Sequence, residues 1–308
     1  MNKTLVLGCL ALLGGAFVLP RTAVGEEPSL QFHPDGAGFA FDTGLVRGKL
    51  RANGKSQGLS SVVHVATGAV LSRSMGLMSH YRVFSANHRY GDAAWNWPSE
   101  ARLTPEGTVT VRWPAAEGRP FELRSTYQWV SPAELDVVTS VQAVTNLLKF
   151  ESFLACYLDS AFTNAQVQVV SLPTAKGPGF LDLEEKFGLW LVFPRDPAAL
   201  SIVEDGRWKY PPSPVDWVRM PALASPTIVR RSPSNGLAVV FMARTQDCFA
   251  VLAPHQTEAH YSMYLSLLGQ DLAPGKTVHA RARLWIAQNP TASQITTAAN
   301  RFTATASQ

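Results

Sequence analysis

Between His80 and Pro98 the chain reads HYRVFSANHRYGDAAWNWP, which places two each of His, Arg, Asn, Tyr and Trp within nineteen residues. Flat rings beside planar donors suit a saccharide, because a pyranose offers an apolar C–H face and a rim of hydroxyls that pair with Arg, Asn and His. His80, Arg82, Asn87, Arg89, Trp95 and Trp97 are therefore candidate sugar-binding residues. The same composition also fits a strand pair whose rings fill a β core with their polar tips satisfied. Both readings stand at this point.

Farther along, Asp205-Gly206-Arg207-Trp208 and Asp216-Trp217-Val218-Arg219 repeat an acid, a ring and a guanidinium. Arg207, Trp208, Trp217 and Arg219 join the sugar-binding candidates, the alternative being a surface loop pinned by its own salt bridges. In KFESFLACYL, strand alternation puts Glu151, Phe153, Ala155 and Tyr157 on one face and Phe150, Ser152, Leu154 and Cys156 on the other. A carboxylate inside such an apolar strand is either paired, with an arginine such as Arg82, Arg89 or Arg219, or functional. Lining a hollow, its pKa would rise toward the range useful for proton transfer, with Tyr157 on the same side. Glu151, His88 and Tyr157 are the catalytic candidates.

Three motifs carry less. His255, Glu258 and His260 in HQTEAH could ligate a divalent ion, but the spacing is not that of a helical H-E-x-x-H, and a solvated loop is the preferred reading. Gly36-Ala37-Gly38 precedes alternating Phe39 and Phe41, so it reads as a hairpin turn and not as a dinucleotide fingerprint. No G-x-S-x-G elbow, P-loop or paired C-x-x-C occurs. No metal and no cofactor are expected.

The elements that must position these groups are strands. Apolar residues recur with period two at Phe39-Phe41, Val63-Val65, Val109-Val111, Val137 to Val141, Val167-Val169, Leu189-Leu191-Phe193 and Val278 to Leu284. Turn residues at Thr104 to Gly107, Ser131 to Ala133 and Ser232 to Gly236 join neighbours as hairpins. Without helical runs between strands, the expectation is an all-β fold, a large sandwich of antiparallel sheets. Helical spacing is confined to ASQITTAANRF after Pro290. Residues 194–226, rich in proline and carrying Trp208, Tyr210 and Trp217, read as an ordered loop or lid across the sheet.

Composition narrows the class. Residues 1–25 read as a signal peptide, with Lys3, an apolar run from Leu5 to Leu19 and a small-residue site at Ala23-Val24-Gly25, so a periplasmic or secreted location is expected. Lipid attachment at Cys9 is a minor alternative. The run is short and broken by Gly14, Gly15 and Pro20, and no later stretch is long enough for a membrane span. Of 27 Lys and Arg the leader takes two, leaving 25 against 23 acids, a charge of +2 without clustering that argues against a nucleic-acid partner. Cys156 and Cys248 lie in apolar runs and read as two buried thiols. Residues 26–290 are expected to form one β domain, with a short helix and polar tail over 291–308.

The strand ladder and the ending YSMYLSLLGQDLAPGKTVHARARLWI resemble the galactose mutarotase-like β-supersandwich superfamily, which includes aldose 1-epimerases. Asp271 to Lys276 is similar to that superfamily's turn before the last strand, and LDVVTSVQAVTN to its strand ending in Asn. Asn87-His88-Arg89-Tyr90-Gly91 with Trp95 resembles its histidine-glycine stretch, which implies a place for His88 in a sugar pocket. Two departures stand out. Glu151 occupies the strand where epimerases carry a second histidine, and Ala253 stands before Pro254 where they carry the general-base glutamate. The resemblance therefore implies a concave carbohydrate site without ordinary mutarotase chemistry. The alternatives are a polysaccharide lyase or other carbohydrate-active enzyme using Glu151, His88 and Tyr157, and a non-catalytic envelope assembly protein.

Overall fold

The computed structural model describes residues 29–173, 177–255 and 260–304. The leader-like segment, Cys9 and Glu258 lie outside the described residues. Two large sheets face each other. In spatial order the eleven-stranded sheet runs His33–Asp35, Gly38–Asp42, Val46–Arg51, Gly58–His64, Ser72–Ser85, Leu147–Leu158, Ser262–Leu272, Cys248–Pro254, Trp190–Pro194 and Val218–Arg219, with His88–Arg89 paired onto Ser72–Ser85 beside this path. The nine-stranded sheet runs Gly179–Asp182, Asn164–Val169, Leu223–Arg231, Leu237–Ala243, Thr277–Gln288, Glu134–Ala143, Phe121–Ser131, Val109–Trp113 and Glu100–Leu103. Pairing is antiparallel except where Trp190–Pro194 meets Val218–Arg219.

The expected hairpins form at Thr104 to Gly107, Ser131 to Ala133 and Ser232 to Gly236, and Asp35 pairs with Gly38 across the Gly36-Ala37 turn. Gly36 there has φ +58°, a left-handed conformation that glycine adopts without steric cost. The C-terminal helix covers Ala292–Ala304 and lays Ile295, Ala298, Ala299 and Phe302 against Val229, Ala238, Val240 and Met242 on the outer face of the nine-stranded sheet. Thr291 and Gln294 cap it reciprocally, Gln294 N–H donating to Thr291 Oγ1 at 3.2 Å and Thr291 N–H to Gln294 Oε1 at 2.8 Å. A second helix, Pro197–Val203, is not foreshadowed by apolar spacing; its signal is Asp196, whose carboxylate accepts from Ala199 N–H, followed by proline at the first helical position. Among the described residues no helix is long and apolar enough to cross a membrane.

The strand Leu147–Leu158 sits at the centre of the larger sheet and is buried on both faces. Phe150, Leu154, Cys156 and Leu158 point into the space between the sheets, whereas Phe153, Ala155 and Tyr157 belong to a separate apolar cluster on the outer face. Cys156 and Cys248 are both buried free thiols.

His80 lies in the interior and not in a sugar site. Alternation along Ser72–Ser85 turns its ring inward, where Nδ1 meets Ser152 Oγ at 2.8 Å, Nε2 meets Ser125 Oγ at 2.6 Å, and the ring abuts Trp113 edge-on. Burial pushes its pKa down to about 3. Below the unfolded-chain value near 6.5 the unfolded state binds a proton that the folded state refuses, so stability falls as pH drops from about 6.5 toward about 3. From neutrality to pH 5 this one residue is expected to cost about 2 kcal/mol. Urea unfolding of the wild type and of His80→Gln at both pH values checks it: the variant should lose less stability on acidification, and equal losses would show that His80 is not held neutral.

Candidate functional site

The outer face of the eleven-stranded sheet carries a hollow of about 400 Å³. Its floor begins with an irregularity in the Ser72–Ser85 strand. Val83 pairs with Ser152 and His80 with Leu154, so Tyr81 and Arg82 together stand opposite the single residue Phe153. Such a bulge re-aims a side chain, and here it sends Tyr81 and Arg82 to the same face, both lining the hollow. The neighbouring strands contribute Phe153 and Tyr157, Tyr264, Leu252 and Trp190, all on the outer-face apolar cluster or packed against it.

Rings dominate the walls. Trp95, from the 3-10 turn Ala94–Asn96, stacks on Tyr81 at 4.5 Å with planes 7° apart, and Tyr157 meets both rings edge-on. Trp190 tilts against Tyr264 and His260. The polar equipment is a relay in which the Ser262 hydroxyl donates to Tyr264 at 3.0 Å and Tyr264 donates to Tyr157 at 2.9 Å, together with the Arg82 guanidinium and His260. Burial, and then its neighbour Tyr264, push the Tyr157 hydroxyl well above the usual tyrosine range; burial raises Tyr264 to about 12. Both phenols stay protonated at neutral pH and act as hydrogen-bond donors.

The proline-rich segment closes one side as the sequence leads one to expect of a lid. Arg207–Lys209 forms a 3-10 turn that inserts Trp208 edge-on against Phe153, and Ser213, Pro214 and Val215 form the rim. Two arginines pin this segment. Arg207, 0% exposed, donates to Asp205 Oδ2 at 2.8 Å, to the Lys149 carbonyl at 2.7 Å and to Glu151 Oε2 at 3.2 Å. Arg89 donates to the carbonyls of Tyr210 at 3.0 Å, Asp92 at 2.7 Å and Pro212. Trp208 Nε1 also donates to Glu151, so that carboxylate holds both the guanidinium and the indole beneath the hollow. Burial raises the Glu151 pKa, and the charge of Arg207 opposes the rise.

Of the candidates drawn from the sequence, Arg82, Tyr157 and Trp208 line the hollow, Trp95 backs Tyr81, and Trp217 meets Trp208 edge-on. Glu151 faces the same side as Tyr157, but its partner is Arg207 and not Arg82, Arg89 or Arg219, and it is fully covered. Asn87 and His88 are exposed on the short hairpin, the latter edge-on to Tyr90, and Arg219 is exposed on the sheet's edge strand. Trp97 packs into the interior with Arg119 over its ring, because the 3-10 turn directs Trp95 outward and Trp97 inward. Glu151, His88 and Tyr157 thus do not converge. Ala253 faces the interior, and Leu252 is the residue its strand sends to the hollow. Tyr81, Phe153, Trp190, His260 and Tyr264 complete the site. Phe153 was marked by its alternation with Tyr157, and Trp190 by its place between Leu189, Leu191 and Phe193; Tyr264 carried no local signal, because strand order alone brings it opposite Ala155. Among the described residues no three His, Cys, Asp or Glu side chains gather as metal ligands.

No family profile and no curated protein matches the chain. Among solved structures it is similar to a galactose mutarotase-like protein from Lactobacillus casei, with 11% identity, 81% of this chain and 100% of that one covered and a TM-score of 0.51. It is likewise similar to a galactose mutarotase related enzyme from Lactobacillus acidophilus, with 11% identity, 83% and 99% coverage and a TM-score of 0.50. The chain has the galactose mutarotase-like fold.

The buried ion pair sets an order of severity among substitutions. Arg207→Met strands Glu151 without its counter-charge and should cost about 3 kcal/mol, whereas Glu151→Gln leaves Arg207 paired with Asp205 and should cost less. Chemical denaturation measures the costs, and hydrogen exchange in residues 204–218 should accelerate most in Arg207→Met. Equal effects of the two changes would show that the pair does not hold the segment down.

Proposed function

We propose that this chain is a carbohydrate-binding protein whose ligand lies in the aromatic hollow on the outer face of the larger sheet. One observation carries the reading: the rings of Tyr81, Trp190 and Trp208, with Trp95 stacked behind Tyr81, bound a hollow of about 400 Å³ furnished with a hydroxyl relay and a guanidinium. That size falls in the range of small-molecule sites, about 300–1,000 Å³. Rings stack on the C–H face of a pyranose while the Tyr157 hydroxyl and Arg82 answer its oxygens. The fold shared with a protein named as galactose mutarotase related supports the same reading. Export, expected from the leader-like first residues, belongs to it.

Binding is preferred to epimerisation or hydrolysis because of what lines the hollow. Among the described residues the lining includes no Asp or Glu, whereas ring opening by an epimerase needs a carboxylate base and most glycoside hydrolysis needs two carboxyl groups. Glu151, which could have supplied one, is committed to Arg207 and Trp208.

The reading predicts quenching or enhancement of tryptophan fluorescence on titration with the bound saccharide. Trp190→Ala should weaken affinity by ~1–3 kcal/mol, the loss expected of an aromatic anchor, while Trp285→Phe on the far sheet should leave it unchanged. Calorimetric titration of the two variants checks this, and equal affinities would dismiss the hollow as the binding site.

A further inference from the structure

We propose that the ligand of this hollow is an anionic saccharide, carrying a carboxylate or a phosphate, and that Arg82 is its counter-ion. The proposal rests on the saccharide reading and names the class of sugar. Four arginines are buried among the described residues, Arg82, Arg207, Arg230 and Arg244. Arg207 is matched by Asp205 and Glu151, and Arg244 by Asp247 at 2.6 Å. Arg230 reaches across the sandwich to the carbonyls of Pro254, Ser262 and Phe162. Arg82, 4% exposed, has neither arrangement. Its Nη2 donates to the Tyr81 hydroxyl at 3.2 Å, its guanidinium carbon lies 4.9 Å from the Tyr81 ring centre, and its Nε is buried with no partner.

A guanidinium removed from water costs several kcal/mol unless an anion and hydrogen bonds replace its hydration. At Arg82 the protein supplies one neutral acceptor, and the residue lines the hollow. The surroundings add to the positive potential. Arg89 lies close by, its guanidinium held below its ordinary range first by burial and then by the charge of Arg82, with the Asp92 carboxylate opposing the shift; its hydrogen bonds go to carbonyls. No acidic side chain among the described residues lines the hollow to compete for Arg82. The relay runs the same way: Ser262 donates to Tyr264 and Tyr264 to Tyr157, which leaves the Tyr157 proton for a ligand acceptor. A planar fork of N–H donors beside a phenol donor is a receptor for an oxyanion, and the forked geometry of Arg matches carboxylate or phosphate oxygens in pairs.

Calorimetric titration of the full chain with glucose and galactose, their uronates and their 6-phosphates tests the proposal. The charged sugars should bind ~10-fold or more tightly than the neutral ones, as a charge-assisted hydrogen bond in a water-poor site requires. Added salt should weaken charged ligands only. Whichever of uronate and phosphate binds tighter names the source of the anion. Arg82→Gln should abolish the preference, charged sugars losing ~10-fold or more in affinity and neutral sugars distinctly less; Arg82→Lys, which keeps the charge, should retain part of the preference and covers the case in which the glutamine variant does not fold. Neutral and charged sugars binding alike, with Arg82→Lys unchanged, would overturn the anionic assignment and leave the saccharide reading intact. No binding of any of the six would overturn both.

Discussion

The structure turns on the double burial of one strand. Leu147–Leu158 lies at the middle of the larger sheet and sends Leu154 and Cys156 into the interior and Phe153 and Tyr157 to the outside. A sheet face that carries Phe84, Phe153, Leu252 and Tyr264 cannot be left to water without forfeiting roughly 25 cal/mol for each Å² of apolar surface exposed. Some element must cover it. That element is a segment too proline-rich for a strand, and its polar backbone has to find partners of its own.

Arg207 and Arg89 answer that demand. Arg89 donates to the loop carbonyls of Tyr210 and Pro212 and so satisfies loop backbone, whereas Arg207, itself on the loop, ties it to the sheet through the Lys149 carbonyl and Glu151. Glu151 is then best understood as a positioning residue. Its carboxylate accepts from Arg207 and from the Trp208 indole, which sets the wall ring of the hollow at a defined distance from Phe153. Replacing a whole buried ion pair by apolar groups is often neutral in stability whereas removing one partner is costly, which fits a carboxylate that fixes the placement of the loop. The hollow exists because the cover is incomplete between the rim at Ser213 to Val215 and the stacked pair Tyr81 and Trp95.

Much of this was legible in the sequence, and the divide follows the range of the forces. Period-two alternation marked the strands, placed Glu151 and Tyr157 on one face and located the hairpin turns, because these depend on neighbours a few residues apart. The covering segment announced itself by its prolines and tryptophans. Strand order was not legible: the partners of Leu147–Leu158 come from residues 72–85 and 262–272, and no local pattern specifies that. Nor was the bulge, without which strict alternation would turn Arg82 inward beside His80. His80 and Trp97 were read as sugar contacts from composition alone, and a side chain's composition does not say which face of a sheet it occupies.

The contrast between Arg82 and Arg207 carries the argument furthest. Arg82 stands on the strand Ser72–Ser85 and Arg207 on the loop that covers the same outer face, and both are buried. The chain supplies Arg207 with two carboxylates and a carbonyl, and supplies Arg82 with a phenol oxygen. A fold able to bring Asp205 and Glu151 to one guanidinium could have brought an acid to the other. Arg82 borders the hollow beside the rings that line it, and the loop that closes one side is fastened by the arginine whose charge is already balanced. Charge that is balanced holds the frame, and charge that is left unbalanced faces the hollow.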